Sequence, residues 1–343
     1  MRTAAPVAET KLANLALQGG GAHGAFTWGV LDRLLEEPSF QIDGVSATSS
    51  GAMNAVVLAH GLTVGGRDGA KQALADFWQR ISEVAQNSFL QPSWYDRLTH
   101  NRGLEHSPAF FFDMLTRMLS PYQFNPLNYN PLKSVLESVV DFERLQRACP
   151  IKLFLCATNV RTGKLRVFDN NEVCVNRVLA SACLPFLHRA VEIDGECFWD
   201  GGYMGNPALF PLIYNCDSRD IIVIHINPTE RPDIPKTATE ITSRINEISF
   251  NSSLLREMRA MAFVTNLIDD KKITDKSLKR MLVHSIEADD VMQGLSVTSK
   301  LNADWEFLTY LHRIGRERAD RWLKAHLSSV GVESTVDIRE RYL

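Results

Sequence analysis

The chain has 343 residues, 45% of them apolar and 22% charged, enough to bury one large core or two ordinary ones. With 37 basic against 40 acidic side chains the net charge is -3, which excludes the strongly cationic surface that draws in nucleic acid, so no nucleic-acid partner is expected. No apolar run approaches the ~18 residues of a membrane span, and the opening MRTAAPVAETK lacks the apolar centre of a signal peptide, so the expected location is cytoplasmic.

In chain order, the first element is the apolar run Leu12–Leu17, read as a strand, followed at once by Gly19, Gly20, Gly21, Ala22, His23 and Gly24. Glycines after a strand expose backbone amides, and the helix that follows adds its partial positive charge, so this loop is suited to hold a negative group. A bound phosphate and the oxyanion of an acyl-transfer intermediate both fit at this point. A second strand, Gln41–Thr48, runs into Ser49, Ser50 and Gly51 and then a helix Ala52–His60 with Gly61 as its cap. Strand, small residues, serine and helix form the pattern of a nucleophile elbow: Ser49 has Ala47 at -2 and Gly51 at +2, with Thr48 and Ser50 beside it. Glycine is the commoner residue at -2. The competing reading makes Ser49 and Ser50 simple helix caps.

Residues 89–132 carry Phe89, Trp94, Tyr95, Phe110, Phe111, Phe112, Met114, Met118, Tyr122, Phe124 and Tyr129, interrupted by prolines. The segment reads as an aromatic insertion, either packed on the sheet or acting as a cap over an acyl-chain channel with peripheral contact to a lipid surface. Strand-like runs resume at Ile151–Thr158, Lys164–Phe168 and Ala190–Ile193, and Asp200, Gly201 and Gly202 follow the segment ending at Trp199. Alone, an Asp-Gly pair is equally an ordinary hairpin turn. Ile221–Ile226 reads as a central strand, with His225 a core histidine.

Alternation of strand-length runs with helical patterns predicts a three-layer α/β/α fold with a mostly parallel central sheet. The texture changes after Pro228, so residues 12–228 are read as one domain and 229–343 as a mainly helical C-terminal region. There, Ile241, Ile245, Ile248, Leu254, Met258, Met261 and Leu267 recur at helical spacing, and a last helix is expected to start at Asn302 or Asp304. Lys271, Lys272, Lys276, Lys279 and Arg280 read as a solvated face or as a contact for lipid phosphate. The six cysteines have no CxxC spacing and the nine histidines no HExxH, so reduced thiols are expected, and neither a metal nor a cofactor.

Taken together, the glycine loop with Phe26 and Gly29, the elbow Ser46–Ala55, and Ala180, Ser181 and Pro185 leading to Asp200-Gly201-Gly202 resemble the bacterial patatin-like phospholipases, over roughly residues 12–228. That resemblance implies a serine acyl hydrolase acting on lipid carboxylic esters through an acyl-enzyme. Ser49 would be the nucleophile, Asp200 its base, Gly201 and Gly202 the base loop, and the Gly19–Gly24 amides the oxyanion hole. The C-terminal region looks like one of unassigned function that accompanies some bacterial members. Three alternatives stand beside this: a triad using His284, His312 or His326; a nucleotide-binding module in which Gly19, Gly21 and Gly24 spell GxGxxG with Asp43 as the ribose-binding acid; and an inactive scaffold.

Overall fold

In a computed structural model of the chain, the described residues are 10–86, 102–104, 119–272 and 278–343. The aromatic residues from Phe89 to Met118, and Lys276, therefore lie outside the described part.

A mixed sheet of eight strands runs through the protein: β1 (Lys11–Leu17), β2 (Phe40–Ala47), β3 (Lys152–Asn159), β4 (Leu165–Asp169), β5 (Val191–Ile193), β6 (Glu196–Asp200), β7 (Asp220–Ile224) and β8 (Leu282–Ile286). Its order is β5-β6-β3-β2-β1-β7-β8, with β4 also on β3. The pairs from β3 through β8 are parallel, whereas β4, β5 and β6 are antiparallel to their neighbours. Every residue of β7 is buried, as a strand covered on both faces requires. The α/β architecture expected from the alternation is thus present, with two additions: β6 pairs with β5 and β3, and β8, a five-residue LVHSI run in the C-terminal region, extends the sheet beside β7.

The longer helices that matter for the site are α1 (Gly24–Leu35), α2 (Ser50–Gln86), α3 (Val175–Ser181), α4 (Ala238–Asp269) and α5 (Trp305–His326). Gly61 does not cap α2. The helix continues past it and breaks at Gly65 and Gly66, so that Gly61 packs against the backbone of Gly69 and Ala70. Helix α5 starts behind the Asp304 cap and lies on α1 in backbone contact, through Gly29 and Gly315. Its Leu308, Leu311, Ile314, Trp322 and Leu323 are buried, while Trp305 stays partly exposed beside Trp28. On α4 the inward residues are Leu254, Met258, Met261 and Ala262; Ile241, Ile245 and Ile248 face outward.

Strand pairing places the two loops that matter. Strand β4 takes one edge of β3, and the other edge is shared: β2 pairs with Lys152–Leu155 up to Ala47↔Leu155, and β6 pairs beyond it, at Ala157↔Asp200. The chain leaving β2 at Ser49 and the chain leaving β6 at Asp200 therefore emerge side by side. The β5–β6 hairpin that delivers Asp200 turns on Asp194 and Gly195, both at positive φ (53° and 79°), the geometry of a two-residue primed turn. Asp194-Gly195, and not Asp200-Gly201, is the hairpin turn. Because β1 is parallel to β2, with Leu17 opposite Ala47, the glycine loop joins the same end of the sheet.

Candidate active site

Ser49 sits at φ +56°, a left-handed conformation that costs a non-glycine residue energy and persists only where its surroundings enforce it. Those surroundings are specific. The Ser49 N–H donates to Ser181 Oγ at 3.0 Å, the Gly51 N–H donates to Thr48 O at 2.9 Å, and α2 begins at Ser50, aiming its N-terminus at the turn. A side chain at Gly51 would collide with Leu17 O, its Cβ falling 2.4 Å away, so the tight approach of elbow to β1 demands glycine. Ala47, the departure from the usual glycine at -2, is fully buried and accommodated.

The strand leading to the elbow also grips the chain after Asp200. Thr48 Oγ1 donates to Gly205 O at 2.6 Å, and Ser46 Oγ donates to Ala208 O at 2.5 Å. Asp200 itself is held through its backbone, its N–H on Cys183 O and its carbonyl accepting from Thr158 Oγ1, both at 2.8 Å. Its side chain has 0% exposure, and Oδ1 accepts the Gly202 N–H at 2.7 Å. Burial pushes the Asp200 carboxyl up to about 7, against the pull of the Gly202 N–H and, more weakly, of the Ser49 hydroxyl. The Ser49 contact falls short of a full hydrogen bond: Oδ2 is buried with no partner of ordinary geometry among the described residues.

The glycine loop closes the site on the other side. A Cβ placed on Gly19 would lie 2.5 Å from Ser49 Cβ and 3.3 Å from Asn206 Oδ1, so loop, elbow and base loop meet there. The loop spends two amides on its own structure: Gly19 N–H donates to Asn206 Oδ1 at 2.7 Å and Gly20 N–H to Ser50 Oγ at 3.1 Å. The Gly21 and Ala22 N–H groups open the first turn of a short helix, where no preceding carbonyl can reach them. His23 is buried, with Nε2 2.7 Å from Ser299 Oγ, and burial, then Lys300 and Arg231, lower its pKa to about 3, so it is a neutral anchor. Gly24 O accepts from Asn54 Nδ2, and Asn54 Oδ1 accepts from Trp78 Nε1, both at 3.0 Å, which ties α1 to α2.

Helix α4 roofs the site. The Phe250 ring rests on Gly202 and packs edge-on to Tyr203 at 5.1 Å, Ser253 Oγ accepts the Asn206 N–H at 3.3 Å, and Glu257 accepts the N–H groups of Leu209 and Phe210. Ser181 belongs to a motif the sequence shows, whereas Asn206, and Ser253 and Phe250 with the roof they form, carry no local sequence signal.

The other candidates have different partners. His284 bonds Asp220 and Thr335, His312 bonds Asp32 and lies against Trp28, and His326 packs near Trp322. His225 is a core residue bonded to the Tyr342 hydroxyl. Asp43 accepts the N–H groups of Asp217 and Ser218 and pairs with Lys152, so its carboxylate is committed to the sheet's opposite end. Lys272, Lys279 and Arg280 are engaged by Asp270, the Cys216 carbonyl and Asp269. All six cysteines are free thiols.

Residues 15–213 match the sequence profile described as Patatin-like phospholipase. The chain belongs to that family. Membership supports lipid-ester hydrolysis as the class of activity. No curated protein matches. Among solved structures, VipD from Legionella pneumophila is similar at 16% identity with a TM-score of 0.41, covering 92% of this chain and 67% of its own. ExoU, in its complex with SpcU from the type III secretion system of Pseudomonas aeruginosa, is similar at 16% identity with a TM-score of 0.32, covering 97% of this chain and 65% of its own. The chain thus spans about two thirds of either structure. Among the described residues no helix is long and apolar enough to cross a membrane.

Proposed function

We propose that the protein hydrolyses carboxylic esters of lipids with Ser49 as nucleophile and Asp200 as its only base. The observation that carries this reading is the pairing of a strained serine on an elbow with a fully buried aspartate whose carboxyl is pushed up to about 7. A base of that strength is half ionised near neutral pH, where it both accepts and returns a proton. Asp200 takes the Ser49 proton as Oγ attacks the ester carbonyl. The tetrahedral intermediate then carries its charge on one oxygen, met by the Gly21 and Ala22 N–H groups and the N-terminus of α2. Collapse expels the alcohol, which takes the proton from Asp200 and leaves an acyl-Ser49 ester. Water, losing its proton to Asp200, attacks that ester and releases the fatty acid, and the proton returns to Ser49.

The experiment is to incubate purified protein with a phospholipid, a lysophospholipid and short-chain esters, and to weigh the intact protein during turnover. The expected result is fatty-acid release and a mass increase of one acyl group on Ser49, absent in Ser49→Ala. Release that persists in Ser49→Ala would overturn the reading.

A further inference from the structure

The region after residue 229 reaches the glycine loop directly. Its short helix Val297–Leu301 lies on the loop: a Cβ on Gly21, which has φ +59°, would fall 2.3 Å from Lys300 O, and Ser299 Oγ holds His23. Lys300 Nζ then donates to Asn227 Oδ1 at 2.8 Å, and Asn227 Nδ2 donates to Gly19 O at 2.7 Å. Asn227 is fixed in turn by Gln18, whose Oε1 accepts the N–H groups of Ile226 and Asn227 while its Nε2 donates to Asn251 on α4.

Gly19 O and Gly20 N–H are the two ends of one planar peptide. Asn227 holds the first and Ser50 Oγ the second, so the plane from which the Gly21 amide hangs is pinned at both ends. Lys300 orients the pin. Its ammonium can only donate, so it fixes which end of the Asn227 carboxamide faces it and leaves the NH2 group turned to Gly19. Burial, with Arg231 nearby, holds the Lys300 ammonium below the usual lysine range, and Glu247, bonded to Arg231 and Arg244, partly offsets this.

We infer that Lys300 is a positioning residue for the oxyanion loop, acting through Asn227, and that the C-terminal region is thereby part of the catalytic unit. The inference rests on the acyl-hydrolase reading above. Lys300 touches no reacting atom, so its removal acts on the transition state more than on substrate binding.

The test is steady-state kinetics on the full chain. Lys300→Met is expected to lower kcat about 10-fold, the loss of one charge-assisted hydrogen bond, with KM unchanged. Asn227→Asp, which keeps an acceptor for Lys300 but loses the donor to Gly19 O, should do the same. The double variant should be no worse than the worse single one, and Lys300→Arg should recover part of kcat. Losses that appear in KM, that add in the double variant, or that are missing from Lys300→Met would overturn the inference. If Lys300→Met melts too low to assay, Lys300→Arg and Asn227→Asp carry the same comparison. A wild-type protein that neither turns over nor acylates Ser49 would instead defeat the hydrolase reading, and this inference with it.

Discussion

Two buried aspartates, one at each end of the sheet, are treated in opposite ways. Asp220 at the start of β7 is nearly inaccessible, and its Oδ1 meets His284 Nε2 at 3.0 Å and the Gly331 N–H at 2.8 Å; His284 is itself held by Thr335. Asp200 at the end of β6 is equally buried, yet among the described residues one oxygen takes a single backbone N–H and the other has no full partner. The first arrangement satisfies a buried carboxylate and ties the tail to the sheet. The second leaves it under-satisfied, which costs stability and creates a proton acceptor useful near neutral pH. Location alone does not distinguish them; their partners do.

The comparison can be broken at several points. The largest expected effect is on turnover: Ser49→Ala and Asp200→Asn should each lower kcat by about 10³-fold or more while the melting transition stays cooperative. Next, Asp220→Ala should destabilise the fold by about 3 kcal/mol, since it strands a buried histidine and an amide, and leave activity per folded molecule unchanged; urea unfolding and active-site titration separate the two.

Asp200→Asn should also stabilise the fold at alkaline pH. The raised folded-state pKa means that the native protein holds a proton the unfolded chain releases, so wild-type stability falls as pH rises from about 4 to about 7. The variant has no charge to bury and should exceed wild type by about 1–4 kcal/mol at pH 8, a gap that closes near pH 4. Equal stability at both pH values would show that Asp200 is better solvated than its burial implies. The smallest effect is assigned to Ser181→Ala, which removes the acceptor of the Ser49 N–H and should cost about 10-fold in kcat without a large change in KM.

What the sequence discloses follows from distance along the chain. The elbow and the glycine loop are local patterns, each readable because small residues punctuate a strand end, whereas the hairpin delivering Asp200 turns at Asp194-Gly195 and not at the more conspicuous Asp200-Gly201. The six expected strands were legible from apolar runs. Strands β6 and β8 were not: Glu196–Asp200 is short with an acidic residue at each end, and Leu282–Ile286 interrupts its apolar residues with His284 and Ser285. The tie from Lys300 to Asn227 and on to Gly19 joins residues 73 and 208 positions apart, and no spacing rule connects them. Ile241, Ile245 and Ile248 show the converse failure: helical spacing identifies one face of α4 but not which side the protein turns inward.

The most direct test of Asp200 as the base is the pH dependence of Ser49 labelling by a fluorophosphonate, which reports nucleophile activation without requiring the natural lipid. The rate should rise through a single ionisation near pH 7 and fall to a low, flat profile in Asp200→Asn. Labelling independent of pH in the wild type, or at the wild-type rate in Asp200→Asn, would contradict it.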